Sequence, residues 1–146
     1  MDKPVVINGC FDLLHEGHLG FIRLASLVGN GVIVFLNSDA SIRKLKNRPP
    51  VFSDQHRAAL LRSNYYVREV YIFEEETPVH SMARLVDSLN PGMYLTSTGH
   101  IDSIVVKFMQ SKFIPVLYAP RFSNFPSTTS LLAKIRALPE GQNPAG

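Results

Sequence analysis

Short apolar runs alternate with helical patterns along the chain. The runs that predict strands fall at residues 5–7, 31–36, 67–73, 92–95 and 114–118. In most of the gaps between them, apolar positions recur with the spacing of an amphipathic helix. Continuous apolar strands separated by helices are typical of a parallel sheet covered on both faces. The pattern therefore predicts an α/β fold with a doubly wound sheet of five parallel strands in a single domain.

Turn and capping residues set the limits of the predicted helices. The first helix is expected over residues 17–28, a second begins near Ala40, and a third runs from Ser53 to about Asn64. Thr77 is predicted to cap a helix whose first residue is Pro78, and a final helix is expected to run through Leu138. Residues 139–146 contain two Pro and two Gly, which predicts a flexible C-terminal tail.

Composition favours one globular domain. The chain has 146 residues, of which 45% are hydrophobic and 18% charged. Its apolar runs are shorter than the roughly 18 residues that a membrane span needs, and the N-terminus carries no hydrophobic targeting pattern, so a cytoplasmic location away from membranes is expected. A single cysteine, Cys10, cannot form an internal disulfide and is compatible with a reducing compartment.

The basic residues are concentrated in one short segment. Arg43, Lys44, Lys46 and Arg48 lie close together, while the net charge of the chain is only +3. A nucleic-acid-binding protein usually shows a longer basic stripe and a recognisable module, so no nucleic-acid partner is expected. A cluster of this size matches a small polyphosphate ligand better.

Two histidines follow the first predicted strand. The run from Val5 leads through Gly9 into His15-Glu16-Gly17-His18, which places two imidazoles near a helix N-terminus. Backbone N–H groups and the helix dipole at such a position favour bound phosphate. A helical zinc pair has histidines four residues apart, whereas these are three apart with a glycine between them. The motif therefore predicts phosphate binding and no metal held by protein side chains.

These residues carry a family resemblance. His15-Glu16-Gly17-His18 resembles the H-x-G-H signature of the nucleotidyltransferases, and the preceding Gly9-Cys10-Phe11-Asp12 resembles the cytidylyltransferase-like family among them. The resemblance implies a Rossmann-like fold over residues 1–138. It also implies transfer of a nucleoside monophosphate from a nucleoside triphosphate to a small phosphorylated acceptor, with release of pyrophosphate.

Later segments narrow the resemblance. Four later segments resemble bacterial heptose-phosphate adenylyltransferases. They run from Asn37 to Lys46, from Arg48 to Val51, from Phe73 to Pro78, and from Ser127 onward. Glycerol-phosphate cytidylyltransferases are the close alternative. The breadth of the first match favours ATP, with CTP as the other possible substrate. The same resemblance implies Mg²⁺ bound together with the triphosphate, and a homodimer.

Three residues are assigned to catalysis by the motif and the resemblance, namely His15, His18 and Lys46. In-line transfer needs no covalent nucleophile, because the protein mainly positions two anions and neutralises charge on the leaving pyrophosphate. Imidazole N–H groups can donate to phosphate oxygens, and a protonated ring would add charge. The nucleotide-binding set is Gly9, Cys10, Phe11, His15, His18, Lys46, Arg121, Ser127, Thr128 and Thr129. For Lys46 the alternative is a solvated helix-end charge, and for the Ser-Thr-Thr run it is capping alone.

The acceptor is expected to bind where strands of the sheet end. The candidates are Asp12, Asp39, Arg57, Thr96, Ser97 and Thr98. Asp12 and Asp39 have turn or capping roles as alternatives, and Arg57 has a structural ion pair. By this resemblance the heptose enzymes carry a Lys-Gly-Gly-Asp motif after the fourth strand, where this chain has Thr96-Ser97-Thr98-Gly99-His100. This departure leaves the acceptor open and keeps a catalytically weak nucleotide-binding regulatory module as the alternative function.

Overall fold

A single parallel sheet organises the computed structural model, which describes residues 2–120 and 127–139. Its strands are β1 (Val5–Gly9), β2 (Val32–Asn37), β3 (Val67–Phe73), β4 (Met93–Ser97) and β5 (Val116–Ala119). Their spatial order is β3-β2-β1-β4-β5, and every paired neighbour is parallel. The predicted single-domain, doubly wound, five-stranded α/β fold is confirmed.

Helices connect the strands. Within the described residues they are α1 (Glu16–Leu27), α2 (Asp39–Lys46), α3 (Asp54–Arg62), α4 (Val79–Leu89), α5 (Ile104–Ser111) and α6 (Thr128–Ala137), together with a short 3₁₀ turn at Thr98–His100. No helix in the parts of the chain that the structure covers is long and apolar enough to cross a bilayer. The tail predicted for residues 139–146 lies, apart from Pro139, outside the described residues.

One helix start differs from its prediction. α4 begins at Val79, Pro78 occupies the N-cap position, and no side chain caps the helix. Thr77 therefore does not cap α4, as the sequence predicted, because the non-helical backbone of the cap falls one residue later. The fixed φ of proline suits a residue at the edge of a helix, where its missing N–H costs little.

The strands bury both of their faces. Val5 and Ile7 point into a core layer with Ile22 of α1 and Leu61 of α3. Val6, between them, points into the opposite layer with Met82 of α4 and Met109 of α5. Alternate side chains of a strand point to opposite faces, and burying each large apolar side chain contributes about 1.5–3 kcal/mol. The continuous apolar runs of the sequence therefore correspond to strands sandwiched between two helical layers.

Candidate active site

The sheet opens a crevice at the edge where its strands end. β1 pairs with β2 along all five of its residues, but with β4 only through Val5–Met93 and Val6–Tyr94. Beyond this point the ends of β1 and β4 separate, and the Tyr94 hydroxyl reaches across to donate to the Asn8 side chain at 2.5 Å. The chain turns to opposite sides of the sheet at these two strands. In open α/β sheets such a switch point is where ligands bind.

The histidine pair lies directly after β1 and forms the start of α1. His15 is the N-cap residue, and its Nδ1 accepts the N–H of Gly17 at 3.1 Å. The Nδ1 of His18 accepts the N–H of His15 at 3.3 Å, and the two rings stack with centroids 3.8 Å apart. An Nδ1 that accepts a hydrogen bond carries no proton, so in both neutral rings the proton is on Nε2. The site thus presents two Nε2–H donors.

Electrostatics keep these rings neutral. Burial lowers the pKa of His18 to about 4, and repulsion from Lys46 and from a protonated His15 adds to the effect. Burial also lowers the pKa of His15. Protonated histidines, which the sequence allowed, are therefore not the resting form of the site at neutral pH. The rings act as neutral hydrogen-bond donors in the free protein.

Lys46 brings positive charge to the pair. It is an exposed residue at the end of α2. Its charge helps to lower the pKa of His18 and opposes the rise that burial causes in the pKa of Cys10. Asn47 then ends the helix in the left-handed conformation, with φ 52°. Arg48 follows, with Nη1 4.0 Å from Oδ2 of Asp12. In the sequence, Arg48 belongs to the basic cluster and to a run that carries the family resemblance but is not among the predicted site residues, and its place two residues after Lys46 is the signal that could have added it.

The loop between β1 and α1 packs tightly against the histidines. Phe11 is buried, and its ring meets that of His18 edge-on at 5.3 Å. A Cβ on Gly9 would lie 3.1 Å from the Phe11 ring, so this position favours glycine. Cys10 is half-buried, and burial raises the pKa of its thiol against the opposing charges of Lys46 and Arg57. Of these three residues, all predicted to bind nucleotide, Phe11 contacts the histidine pair directly, and Gly9 packs against Phe11.

Asp12 makes structural contacts. Its side chain is 2% exposed; Oδ2 accepts the N–H of Val51 at 2.7 Å, and Oδ1 accepts the N–H of Phe52 at 3.0 Å. These bonds tie the β1–α1 loop to the segment between α2 and α3. The sequence left two roles open for Asp12, an acceptor contact and a turn or capping role. The structure shows the turn role. Its contact with an acceptor stays a prediction that this burial disfavours.

Arg57 is also a structural residue here. Its fully buried guanidinium donates to the carbonyls of Phe52, Cys10 and Asn37. It also pairs with Oδ1 of Asp39 at 2.9 Å. Of the two roles considered for Arg57, the structure shows the ion pair. The guanidinium N–H groups already donate to protein oxygens, which disfavours a further contact with an acceptor. A contact of Arg57 with an acceptor stays a prediction without support in this geometry.

Asp39 couples the starts of α2 and α3. Its N–H donates to Asp54 at 3.0 Å, and the N–H of Asp54 donates back to its carboxylate at 2.8 Å. The carboxylate of Asp39 therefore accepts an N–H group in the first turn of α3 and pairs with Arg57 at the same time. It does not cap α2, the capping role that the sequence left open, because Ser38 is the N-cap residue of α2 and accepts the N–H of Ser41. About a third of the Asp39 side chain is exposed to solvent, and its contact with an acceptor stays a prediction.

The first turn of α6 reaches the same loop. Thr128 Oγ1 donates to the backbone carbonyl of Asp12 at 2.7 Å. Ser127 and Ser130 cap the helix reciprocally, as the capping alternative for this run proposed. The first backbone N–H groups of a helix have no carbonyl partner within it, so those of Thr128 and Thr129 suit a phosphate. Arg121 lies outside the described residues.

Three candidate residues at the end of β4 lie on the other side of the crevice, two of them in the strand and one directly after it. Thr96 is buried at the end of the strand, Ser97 is half-buried, and Thr98 is exposed at the start of the 3₁₀ turn. The site therefore has two parts. Nucleotide candidates gather around the end of β1, and uncharged hydroxyl groups lie at the end of β4.

The fold and the site define an α/β protein with a doubly wound parallel sheet and paired histidines at its switch point. The Cytidylyltransferase-like family model matches residues 6–118. The chain belongs to the cytidylyltransferase-like family, as its motifs predicted.

Curated relatives cover most of this chain. The bifunctional protein HldE of Helicobacter pylori strain 26695 is 36% identical over 135 residues, which are 92% of this chain and 28% of that relative. HldE of Campylobacter jejuni subsp. doylei is 42% identical over 107 residues, which are 72% of this chain and 22% of that relative. The chain thus spans about a quarter of the length of these relatives.

Solved structures share the fold. A lipopolysaccharide core biosynthesis protein from Thermoplasma volcanium superimposes with a TM-score of 0.63 at 21% identity, covering 82% of this chain and 94% of that one. A macrolide-efflux protein from Streptococcus pneumoniae gives a TM-score of 0.57 at 16% identity, covering 84% of this chain and 54% of that one. At these identities the likeness concerns the fold.

Proposed function

We propose that this protein transfers a nucleoside monophosphate from a nucleoside triphosphate to a phosphorylated sugar or polyol and releases pyrophosphate. The observation that carries the proposal is the histidine pair, whose two Nδ1 atoms accept backbone N–H groups so that two Nε2–H donors remain for a ligand. The pair lies at the switch point of the sheet, beside Lys46 and the N-terminus of α6. These groups are suited to polyphosphate.

Each group has a role in the proposed reaction. An oxygen of the acceptor phosphate attacks the α-phosphorus, the bond from the α-phosphorus to the bridging oxygen breaks, and pyrophosphate leaves with that oxygen. His15 and His18 donate from Nε2 to phosphate oxygens, where negative charge grows as the bond breaks. Lys46 places a cation beside the same oxygens, and the first turn of α6 binds the outer phosphates. No covalent intermediate with the protein is needed.

Magnesium is proposed to enter with the triphosphate. Among residues 2–120 and 127–139 no group of three His, Cys, Asp or Glu side chains is placed to hold a metal ion. The donors around the histidine pair are instead N–H groups and cations, which fit phosphate oxygens. When bound, Mg²⁺ would neutralise phosphate charge while phosphate oxygens and water hold it.

The acceptor is proposed to bind at the edge where the strands end, near Asp39 after β2 and the segment from Thr96 to Thr98 at the end of β4. The uncharged hydroxyl groups of Thr96, Ser97 and Thr98 are suited to hydrogen bonds with sugar or polyol hydroxyls. None of these three residues can supply the positive charge of the lysine that heptose-phosphate adenylyltransferases have at the position of Thr96. We therefore expect heptose 1-phosphate to be a poor acceptor with ATP, with kcat/KM below about 10⁴ M⁻¹s⁻¹.

Two further expectations rest on the family resemblance. ATP is the proposed nucleotide, with CTP as the alternative, because the adenylyltransferase resemblance extends over more of the chain. A homodimer is the proposed assembly, and sedimentation equilibrium of the purified protein tests it. A sedimenting species with the 16.3 kDa mass of one chain would contradict it.

Pyrophosphate release tests the proposed activity. The protein is incubated with Mg²⁺, with ATP or CTP, and with a panel of sugar and polyol phosphates, and His18→Ala serves as the control for contaminating activity. We expect release that depends on one class of acceptor and is largely lost in the variant. Triphosphate binding without release for any acceptor would instead support a nucleotide-binding regulatory module, the alternative that the altered segment after β4 keeps open.

A further inference from the structure

Asp12 connects three segments that carry the proposed triphosphate contacts. Its own segment leads into the histidine pair. Its carboxylate accepts the N–H groups of Val51 and Phe52, in the segment that follows Lys46 and Arg48. Its backbone carbonyl accepts the Thr128 hydroxyl at the start of α6. Residues far apart in sequence, with separations of 39, 40 and 116 positions, thus meet at one residue.

The backbone on both sides of Asp12 is strained. Phe11 has φ 47° and Leu13 has φ 51°, so both occupy the left-handed region. Residues with a Cβ, and bulky ones above all, are disfavoured there, and such conformations persist only where surrounding contacts hold them. The contacts of Asp12 are placed between these two residues, and burial of the Phe11 ring against His18 adds to them.

We propose that Asp12 is a positioning residue: by holding this strained turn it fixes the histidine pair relative to the basic segment and the first turn of α6. The nature of the ligand in this proposal rests on the proposed function. The carboxylate suits the role because it has two oxygens for two N–H donors, and its charge also faces Arg48 at 4.0 Å. The burial of Asp12 keeps these bonds out of competition with water.

Replacing Asp12 by Asn separates this role from simple packing. The amide has the same shape, but its NH₂ group must face an N–H donor, so one of the two bonds is lost together with the charge. The β1–α1 loop, the segment after Lys46 and the first turn of α6 are then held less rigidly relative to one another. We expect the dissociation constant for triphosphate to rise about tenfold or more, as the loss of a charge-assisted hydrogen bond implies.

Ser53→Ala is the matched control. Ser53 directly follows Phe52 and caps α3 by accepting the N–H of His56 at 3.2 Å. Its loss destabilises the same part of the protein but leaves the bonds to Asp12 in place. Both variants are expected to lower the melting temperature. Only Asp12→Asn is expected to weaken triphosphate binding, measured by calorimetry, and to lower kcat at saturating triphosphate.

Hydrogen exchange provides a readout that needs no activity. In Asp12→Asn we expect faster amide exchange in residues 13–18 and 127–130 together, whereas in Ser53→Ala the change stays within 52–58. Thr128→Val serves as a second variant if Asp12→Asn does not fold, because it removes only the hydroxyl that donates to the carbonyl of Asp12. It is expected to speed exchange in residues 13–18 as well.

These measurements separate failure of the positioning role from failure of the proposed function. The positioning role is overturned if Asp12→Asn binds triphosphate as tightly as Ser53→Ala and leaves exchange in residues 13–18 and 127–130 unchanged. For Thr128→Val, unchanged exchange in residues 13–18 counts against it in the same way. If the wild-type protein binds no triphosphate and releases no pyrophosphate, the proposed function fails, while the exchange data still decide whether Asp12 couples the segments.

Discussion

The backbone N–H of His15 donates to Nδ1 of His18 across 3.3 Å, in return for the cap that His15 itself places on α1. The two histidines are therefore three positions apart for a structural reason as well as a chemical one. The spacing is that of a reciprocal helix cap, in which each ring takes up one N–H group that the helix cannot satisfy. Both rings are thereby fixed with Nε2 as the remaining donor.

Removing the His18 ring tests its proposed contact with the leaving group. We expect His18→Ala to lower kcat by about two to three orders of magnitude, with a smaller loss of triphosphate affinity, because the bond strengthens as charge develops. His15→Ala should lose more in binding. His56→Ala is the control, since His56 stacks on Phe52 outside the pair. Near wild-type turnover in His18→Ala would contradict the assigned role.

The depressed pKa of His18 predicts a pH dependence of stability. The pKa is about 4 in the folded protein against 6.5 for an unperturbed histidine. Between these values the unfolded chain binds more protons, so this contribution is present above about pH 6.5 and is lost as the pH falls toward 4.

Urea unfolding between about pH 7 and about pH 4.5 measures this effect. His18→Gln should show a smaller decrease in the free energy of unfolding than the wild type does, and His80→Gln, a substitution of an exposed histidine on α4, should not. Parallel pH profiles for the wild type and His18→Gln would show that the folded protein does not disfavour protonation of His18.

Lys46 is expected to serve binding rather than folding. We expect Lys46→Met to weaken triphosphate binding while the free energy of unfolding stays within about 0.5 kcal/mol, because an exposed charge contributes little to stability. Lys107→Met, on α5, gives the control for a lost surface charge. Calorimetric titration and thermal melts measure both quantities. A loss of stability with unchanged affinity would favour the solvated helix-end alternative.

Arg57 is expected to serve folding. Its guanidinium makes four hydrogen bonds from a fully buried position. A lysine cannot reproduce this fork, so Arg57→Lys should cost about 2–4 kcal/mol of unfolding free energy. Arg62→Lys, which alters a single, partly buried bond to the carbonyl of Val70, should cost under about 1 kcal/mol. Equal losses in chemical denaturation would argue against a central structural role for Arg57.

The fold was predictable because its pattern is local. Alternating apolar runs and capping residues indicate strands and helices wherever neighbouring positions share a face, and a parallel sheet then follows. The one clear shift, at Thr77 and Pro78, concerns a helix end, where adjacent residues compete for the cap. The predicted gathering of His15 and His18 at the end of β1 followed from the strand-to-helix motif in the same way.

The roles of buried polar residues were not predictable. Arg57 donates to the carbonyl of Cys10, 47 positions away, and Asp12 accepts an N–H 40 positions away. No local spacing encodes such contacts, so a carboxylate or guanidinium near the end of a strand could equally face a ligand. The neutral state of the histidines depended likewise on burial and on the charge of Lys46, which only the folded chain brings close.

The fate of the α-phosphate tests the central claim most directly. The protein is given Mg²⁺ with ATP labelled at the α-phosphate, and in parallel ATP labelled at the γ-phosphate, with the acceptor that supports pyrophosphate release. Nucleotidyl transfer predicts the α-label in a new nucleotide joined to the acceptor and the γ-label in pyrophosphate. A γ-label found on the acceptor, or an α-label that remains in free nucleotides with every acceptor, would contradict the account.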